Sequence, residues 1–79
     1  MYKKDTEKPN VIGPKLREIR IKRNMSQSIL AERMTEKYDR NLSTATVCKI
    51  ERQQRAVYDY EVQHFAEVLN VQIEELYKK

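Results

Sequence analysis

Two serines, each followed by apolar residues at helical spacing, constrain the fold of this chain more than any other feature. Ser26 and Ser43 are good helix N-caps, because a serine hydroxyl accepts a hydrogen bond from a backbone N–H that the first turn leaves unpaired. After each serine, residues of one face recur three or four positions apart, which is the spacing of an amphipathic helix. Residues 25–51 therefore hold two predicted helices with a polar break between them. Their inward faces carry Gln27, Leu30, Ala31 and Met34 in the first and Val47 and Ile50 in the second.

Three more helices follow from the same spacing rule. Gly13 and Pro14 mark the start of the first, since proline lacks an N–H that the first helical residue does not need. This helix extends to about Arg23. The fourth helix has Asp59 as its candidate cap, and the fifth follows a break at residues 70–71. The predicted inward residues are Ile12, Leu16 and Ile19, then Val62, Phe65, Ala66 and Leu69, then Ile73, Leu76 and Tyr77.

The composition favours an all-α fold class. Only one glycine and two prolines occur, whereas 39% of the residues are hydrophobic and 35% are charged. A chain of 79 residues forms one small domain, which buries roughly 60–65% of the surface that the unfolded chain exposes. Residues 12–79 are the predicted domain. Residues 1–11 lack periodicity and are predicted to be a flexible N-terminal tail.

The cysteine count and the hydropathy pattern exclude several classes of protein. A single cysteine cannot form a disulfide within one chain, and one cysteine with one histidine cannot make a zinc site. No apolar run approaches the roughly 18–20 residues that cross a membrane, and the start of the chain does not resemble a secretory signal. We expect a cytoplasmic protein with no membrane contact, no metal and no cofactor.

Charge is distributed unevenly along the chain. The net charge is +4, but residues 14–55 hold eleven Lys and Arg against five Asp and Glu, whereas residues 56–79 hold two against five. A basic region of this kind suits a surface that meets phosphates. It is equally consistent with an unevenly charged helical surface that has no partner.

The third helix, over residues 43–52, has an outer face suited to the major groove of DNA. With Val47 and Ile50 turned inward, a rotation of about 100° per residue turns the opposite face outward. Lysine can donate to guanine, a threonine hydroxyl can bond several base edges, and an alanine methyl packs on thymine. The predicted base-facing residues are Thr44, Ala45, Cys48 and Lys49.

Phosphate contacts are predicted around this face. Arg52 lies at its C-terminal end, where a guanidinium can reach the DNA backbone. The start of the second helix offers unpaired N–H groups and the positive end of the helix dipole, which favour an anion. The residues there are Ser26, Gln27 and Ser28, and Ser43 has the same position at the start of the third helix.

Four pieces of the chain together resemble the helix-turn-helix domain of the lambda-repressor and Cro type, also called the xenobiotic-response-element family. The pieces are LREIR at 16–20, MSQSILAERM at 25–34, LSTATVCKIE at 42–51 and FAEVLNVQIEELY at 65–77. The resemblance implies a compact five-helix lambda-repressor-like fold, with the helix-turn-helix at helices 2 and 3. It implies that Gln27 holds phosphate and that Thr44, Ala45 and Lys49 face bases. It also implies an ion pair between Arg20 and Glu51.

Two departures from the family pattern affect the site. Residues 35–41, TEKYDRN, make the connection between helices 2 and 3 roughly six residues longer than the family's tight turn. They should lengthen helix 2 or enlarge the loop, and they bring Tyr38 and Arg40 within reach of phosphate. Gln53 stands where the family often has a glycine that ends helix 3 in a left-handed conformation, so we expect this helix to end otherwise. Arg55, just beyond, is the last predicted phosphate contact.

Two functions remain open from the sequence. The first is sequence-specific binding of double-stranded DNA by a small transcriptional regulator, a repressor acting as a homodimer on a two-fold symmetric operator, with no small-molecule effector domain. The second is a protein-interaction module, such as an antitoxin or an adaptor, whose surface would be Tyr58, Asp59, Tyr60 and Glu61. An enzyme is not expected, since no Gly-rich phosphate loop or catalytic constellation is present.

Overall fold

The computed structural model describes residues 8–38 and 42–78, and these residues form five α-helices and no strand. The predicted all-α fold with five helices is therefore confirmed. None of the described helices is long and apolar enough to cross a membrane. The helices are α1 (Gly13–Lys22), α2 (Gln27–Tyr38), α3 (Thr44–Glu51), α4 (Asp59–Leu69) and α5 (Ile73–Tyr77).

The helices start where local side-chain chemistry allows. The Ser26 hydroxyl accepts a hydrogen bond from the Ile29 N–H at 3.1 Å, and the Ser43 hydroxyl accepts one from the Thr46 N–H, also at 3.1 Å. Both serines are therefore the N-caps that the sequence predicts. At the other end of the chain α4 stops at Asn70, which adopts a left-handed conformation with φ of 59°.

All five helices enclose one hydrophobic core. The predicted stripes of α1, α3 and α4 are buried, and Phe65 and Leu76 are fully enclosed. In α2 the predicted residues Leu30, Ala31 and Met34 are buried, whereas Gln27 is half-buried. Burial of this apolar surface supplies most of the stability of so small a domain. The buried hydrophobic residues are Ile12, Leu16, Ile19, Leu30, Ala31, Met34, Leu42, Val47, Ile50, Val62, Phe65, Ala66, Leu69 and Leu76.

The prediction was wrong at three positions in the C-terminal helices. Ile73 and Tyr77 were assigned to the core but are 41% and 53% exposed, because α5 has only five residues and buries Leu76 alone. Asp59 is the first residue of α4 and not its cap. The Glu61 carboxylate accepts from the Tyr58 N–H at 3.0 Å instead.

The segment that departs from the family pattern, residues 35–41, lengthens α2, which is one of the two outcomes predicted from the sequence. This helix continues to Tyr38, and residues 39–41 lie outside the described part of the chain. The Thr35 hydroxyl lies 2.9 Å from the Ala31 carbonyl oxygen and accepts from the Leu42 N–H at 3.2 Å. This bond closes the connection, so Leu42 returns to the core directly before α3.

The end of α3 differs from the expectation. Gln53 adopts the left-handed conformation itself, with φ of 61°, although it is not glycine. The Gln53 N–H donates to the Ile50 carbonyl at 2.9 Å, and the Gln54 N–H donates to the Lys49 carbonyl at 2.8 Å. These two bonds are the usual closure of a helix C-terminus. The family's backbone conformation is therefore kept without the family's glycine.

Part of the predicted tail belongs to the folded domain. Residues 1–7 lie outside the described residues, but Asn10 is only 8% exposed. Its amide oxygen accepts from the Gly13 N–H at 2.9 Å, and its amide nitrogen donates to the Arg55 carbonyl at 2.8 Å. The assignment of residues 8–11 to a flexible tail is therefore wrong at Asn10, because this polar side chain has buried backbone partners far along the chain.

Candidate nucleic-acid interface

The outer face of α3 presents the residues that the sequence assigns to base contacts. Thr44, Ala45 and Lys49 are exposed, and Cys48 is half-buried. On the opposite face Val47 and Ile50 have no exposed surface. The helix therefore has one face fixed in the core and one face free to meet a ligand.

A buried ion pair holds α3 against α1. The Arg20 Nε donates to Glu51 Oε2 at 2.6 Å, and its Nη2 donates to Glu51 Oε1 at 3.1 Å. These two side chains are 9% and 2% exposed. A third guanidinium nitrogen donates to the Met25 carbonyl at 2.8 Å, so Arg20 also fixes the start of α2. The pair that the resemblance implies is present, and it sets the relative positions of three helices.

Gln27 contributes to this ion pair. Its amide nitrogen donates to Glu51 Oε1 at 2.9 Å, and the side chain is half-buried. The Glu51 carboxylate thus accepts from Arg20 and Gln27 together, which is the saturation that a buried carboxylate requires. In this structure the amide nitrogen of Gln27 supports Glu51, whereas the resemblance assigns the side chain to phosphate.

A polar cleft lies beside α3, where α1 and the start of α2 meet it. Ser26 is exposed there, and its hydroxyl oxygen lies 3.0 Å from that of Ser28, which is exposed but does not line the cleft. Arg17 and Arg52, both exposed, contribute two cations from α1 and from the end of α3. The cleft is lined by Arg17, Arg20, Ser26, Gln27, Cys48, Glu51 and Arg52.

Arg17 is the cleft residue that the sequence analysis missed. It lies three positions before Arg20 and therefore on the same face of α1. Because Arg20 reaches Glu51 and the start of α2, a residue three positions earlier on α1 lies near the same place. The spacing of Arg17 and Arg20 therefore indicates the position of Arg17, but only when the Arg20–Glu51 pair is taken into account.

Arg55 has a partner within the protein. Its Nη1 and Nη2 donate to the Glu61 carboxylate at 3.0 and 3.2 Å, and Glu61 is completely buried. These hydrogen bonds raise the pKa of Arg55 above its ordinary value. Arg55 is therefore paired with Glu61 while 30% of its side chain stays exposed, and its phosphate contact stays a prediction. Glu61 was also wrongly included in the exposed interaction surface.

The extended end of α2 packs on α4 through Tyr38. The Tyr38 ring stacks on His64, with centroids 3.6 Å apart and planes 4° apart. Its hydroxyl donates to Glu67. Desolvation, followed by this bond, raises the pKa of Tyr38 to about 12. The predicted phosphate contact of Tyr38 is replaced by contacts within the protein, and Arg40 lies outside the described residues.

A family model describing the Cro/C1-type HTH (helix-turn-helix) DNA-binding domain matches residues 15–78. The match spans α2, α3, α4 and α5 completely, and all of α1 except its first two residues. It confirms the resemblance drawn from the four separate pieces of sequence. No curated protein and no solved structure matches the chain.

Proposed function

This chain belongs to the family of Cro/C1-type helix-turn-helix DNA-binding domains, and from that premise we propose that it recognises a specific double-stranded DNA sequence with α3 in the major groove. The observation that carries the proposal is the way in which α3 is held against the rest of the domain. Its outer face is exposed, while Val47, Ile50 and Glu51 hold the opposite face against the core and α1. A rigidly held exposed helix meets the geometric demand of groove recognition.

The proposed base contacts come from the exposed face of α3. Lys49 donates to guanine O6 or N7, Thr44 bonds a base edge through its hydroxyl, and the Ala45 methyl packs on a thymine methyl. Cys48, half-buried at the cleft, is the fourth proposed base-facing residue. None of these side chains can form the bidentate pairs that Arg, Asn or Gln make, so DNA shape contributes to specificity as well.

The proposed phosphate contacts lie along the cleft. Ser26 and Ser28 stand at the start of α2, where backbone N–H groups and the helix dipole favour an anion. Arg52 and Arg17 flank this start with exposed guanidinium groups, and Ser43 stands at the start of α3. Gln27 acts in this proposal by fixing Glu51, with its amide oxygen available to the backbone.

We further propose that the protein is a transcriptional repressor that acts in the cytoplasm as a homodimer. Its two α3 helices would then enter half-sites about 34 Å apart, which is one turn of DNA. Exposed aromatic residues suit a self-contact, since Tyr58 and Tyr77 are 56% and 53% exposed. Binding over an operator would exclude other proteins from that DNA, without any catalysis by this chain.

Selection of duplexes from a random pool tests the proposed function. We expect enrichment of a palindromic consensus with half-sites one helical turn apart. Absence of any enriched sequence would contradict specific recognition. A consensus without two-fold symmetry would contradict the homodimer alone.

The phosphate contacts have their own test in the salt dependence of binding. Removing one phosphate contact in Arg17→Ala should make the slope of log affinity against log salt shallower by about 0.9, equally for selected and unrelated duplexes. Lys22→Ala is the matched control, because Lys22 is also a cation of α1 but pairs with Glu18 away from the cleft. An unchanged slope in Arg17→Ala would show that Arg17 does not contact a phosphate.

A second candidate function, a protein-interaction module, is favoured by one observation. Tyr58 and Tyr60 are exposed and stacked, with ring centroids 5.5 Å apart and planes 9° apart. Aromatic side chains in such positions are common anchors of protein interfaces. The double substitution Tyr58→Ser, Tyr60→Ser should abolish a partner complex and leave the monomer's DNA contacts intact. If this variant still formed the complex, Tyr58 and Tyr60 would not belong to the interaction surface.

A further inference from the structure

The start of α1 meets the end of α3 through the side chain of Asn10. Its amide nitrogen donates to the Ile50 carbonyl at 3.0 Å and to the Arg55 carbonyl at 2.8 Å. Its amide oxygen accepts from the Gly13 N–H at 2.9 Å. Both donor hydrogens of the amide are thus used, one on the last turn of α3 and one on the segment that follows it. The Ile50 carbonyl accepts from Asn10 as well as from the Gln53 N–H.

Gln53, just after α3, bonds the backbone of Asn10. Its amide nitrogen donates to the Asn10 carbonyl at 3.0 Å, and its amide oxygen accepts from Lys8 Nζ at 3.3 Å. Gln53 does so from a left-handed backbone, which glycine adopts more readily than glutamine. The glutamine therefore adds to this position a side-chain bond that a glycine could not make.

Gly13 brings the two helix ends into direct contact. A Cβ atom at this position would lie 2.4 Å from the Ile50 carbonyl oxygen and 2.8 Å from that of Glu51. The N-terminus of α1 thus meets the C-terminus of α3, which is a favourable arrangement of the two helix dipoles. Glycine is required here because the backbones approach so closely.

These contacts give α3 a second anchor on α1. The first is the ion pair of Arg20 with Glu51, seven residues beyond Gly13 and therefore about 10 Å further along α1. Both anchors act on the last turn of α3, at Ile50 and Glu51, and they reach α1 at two separated points. Two such points restrict the rotation of α3 relative to α1 more than one point does. The angle of α3 decides which base edges its exposed residues can reach.

We infer that Asn10 and Gln53 form a link that positions α3 for base reading, so that sequence preference depends on a residue preceding the matched segment. This inference rests on the proposed function. Asn10 acts in it through α3 and is a positioning residue, not a DNA ligand. The family match begins at residue 15, so Asn10 lies outside it.

Affinities of the full chain for a selected duplex and an unrelated duplex test the inference. Asn10→Ala should weaken binding to the selected duplex by about tenfold, the size of loss that one mismatched base pair causes. Binding to the unrelated duplex should change by less than about twofold, because phosphate contacts dominate there. Titrations followed by fluorescence anisotropy, at a temperature where circular dichroism shows every variant folded, give both values.

Two further variants separate positioning from stability. Leu69→Val removes a methylene from the core on α4 and should leave the ratio of the two affinities unchanged, even if it destabilises the domain as much. Gln53→Gly keeps the left-handed backbone but loses the bonds of the Gln53 side chain to the Asn10 carbonyl and to Lys8 Nζ. It should lower the affinity ratio by about threefold, because the link to Asn10 is removed. Stability should be kept, because glycine adopts the left-handed conformation more readily than glutamine and so offsets the lost bonds.

The possible outcomes are distinguishable. An unchanged affinity ratio in both Asn10→Ala and Gln53→Gly overturns the inference, and Gln53→Gly decides alone if Asn10→Ala does not fold. A wild-type protein without any preferred duplex contradicts the proposed function instead. In that case hydrogen exchange of the Gly13 amide tests the link without DNA. Faster exchange in Gln53→Gly than in wild type supports the link, and equal exchange overturns it.

Discussion

The two ends of α3 are held in different ways. At the C-terminal end, Glu51 is buried in an ion pair with Arg20, and Asn10 bonds the Ile50 carbonyl of the last turn. At the N-terminal end, the connection from α2 is closed by the hydroxyl of Thr35, and Tyr38 rests half-exposed on α4. The C-terminal end is thus held by a buried polar network, and the N-terminal end is attached through side chains near the surface.

This difference places part of the proposed contact face away from the support. Thr44 and Ala45 stand where the helix begins, whereas Cys48 and Lys49 stand nearer the buried polar network. A longer connection between α2 and α3 is tolerated because the direction of α3 is set at its C-terminal end. We therefore expect substitutions at the C-terminal end to cost the most stability.

The largest effect is expected from Glu51→Ala. Removal of this carboxylate leaves the guanidinium of Arg20, a buried residue, without its counter-ion. Breaking a buried pair from one side costs about 3–5 kcal/mol of unfolding free energy. Urea denaturation measures this loss. Glu18→Ala is the control, since Glu18 pairs with Lys15 and Lys22 on the exposed face of α1. Equal losses in the two variants would contradict the account.

Gly13→Ala should have the next largest effect. The added methyl group would overlap the Ile50 carbonyl oxygen, so the start of α1 must move away from α3. Overpacking of this kind costs about 1–3 kcal/mol. Thermal unfolding measures the loss, with Pro14→Ala at the neighbouring exposed position as control. A Gly13→Ala variant as stable as wild type would show that the two helix ends are not in tight contact.

A smaller effect is expected at the N-terminal end from Thr35→Val. The substitution keeps the shape of the side chain but leaves the partly buried Leu42 N–H without its acceptor. Such a loss costs about 1–3 kcal/mol when the group stays dry and less when water replaces it. Thr35→Ser, which retains the hydroxyl, should unfold at nearly the wild-type urea concentration. If Thr35→Ser loses as much unfolding free energy as Thr35→Val, the methyl group of Thr35 and not its hydrogen bond stabilises the connection.

The smallest effect at neutral pH is expected from Tyr38→Phe, which keeps the stacking on His64 and removes the bond to Glu67. The pKa of Tyr38 is about 12, above its ordinary value of 10.0, so the neutral phenol stabilises the fold. This contribution is fully present below about pH 10 and is lost as the pH rises through about 12. The difference in phenolate absorbance between wild type and Tyr38→Phe should rise near pH 12. A difference centred near pH 10 would show that the contact does not hold the proton.

The sequence predicted the elements whose signals are local. Ile12, Leu16 and Ile19 are buried as their spacing required, and the hydroxyls of Ser26 and Ser43 cap their helices. These features depend on residues three or four positions apart. Helical periodicity and capping chemistry therefore sufficed to find them.

The sequence could not predict contacts between residues far apart in the chain. Asn10 bonds a carbonyl forty positions away, and Tyr38 stacks on His64 only because the lengthened α2 ends beside α4. Gln53 was expected to avoid the left-handed conformation because of its side chain. Two backbone bonds close the helix there, and its amide bonds the Asn10 carbonyl, which compensates for that preference.

The central claim is that the exposed face of α3 reads base pairs, and the affinity ratio of Lys49→Ala tests it most directly. Loss of this exposed lysine should weaken binding to the selected duplex by about tenfold to a hundredfold, as expected for one lost base contact. Binding to an unrelated duplex should fall by no more than about threefold. Equal losses on the two duplexes would contradict the claim, because they would show that Lys49 contacts only the DNA backbone.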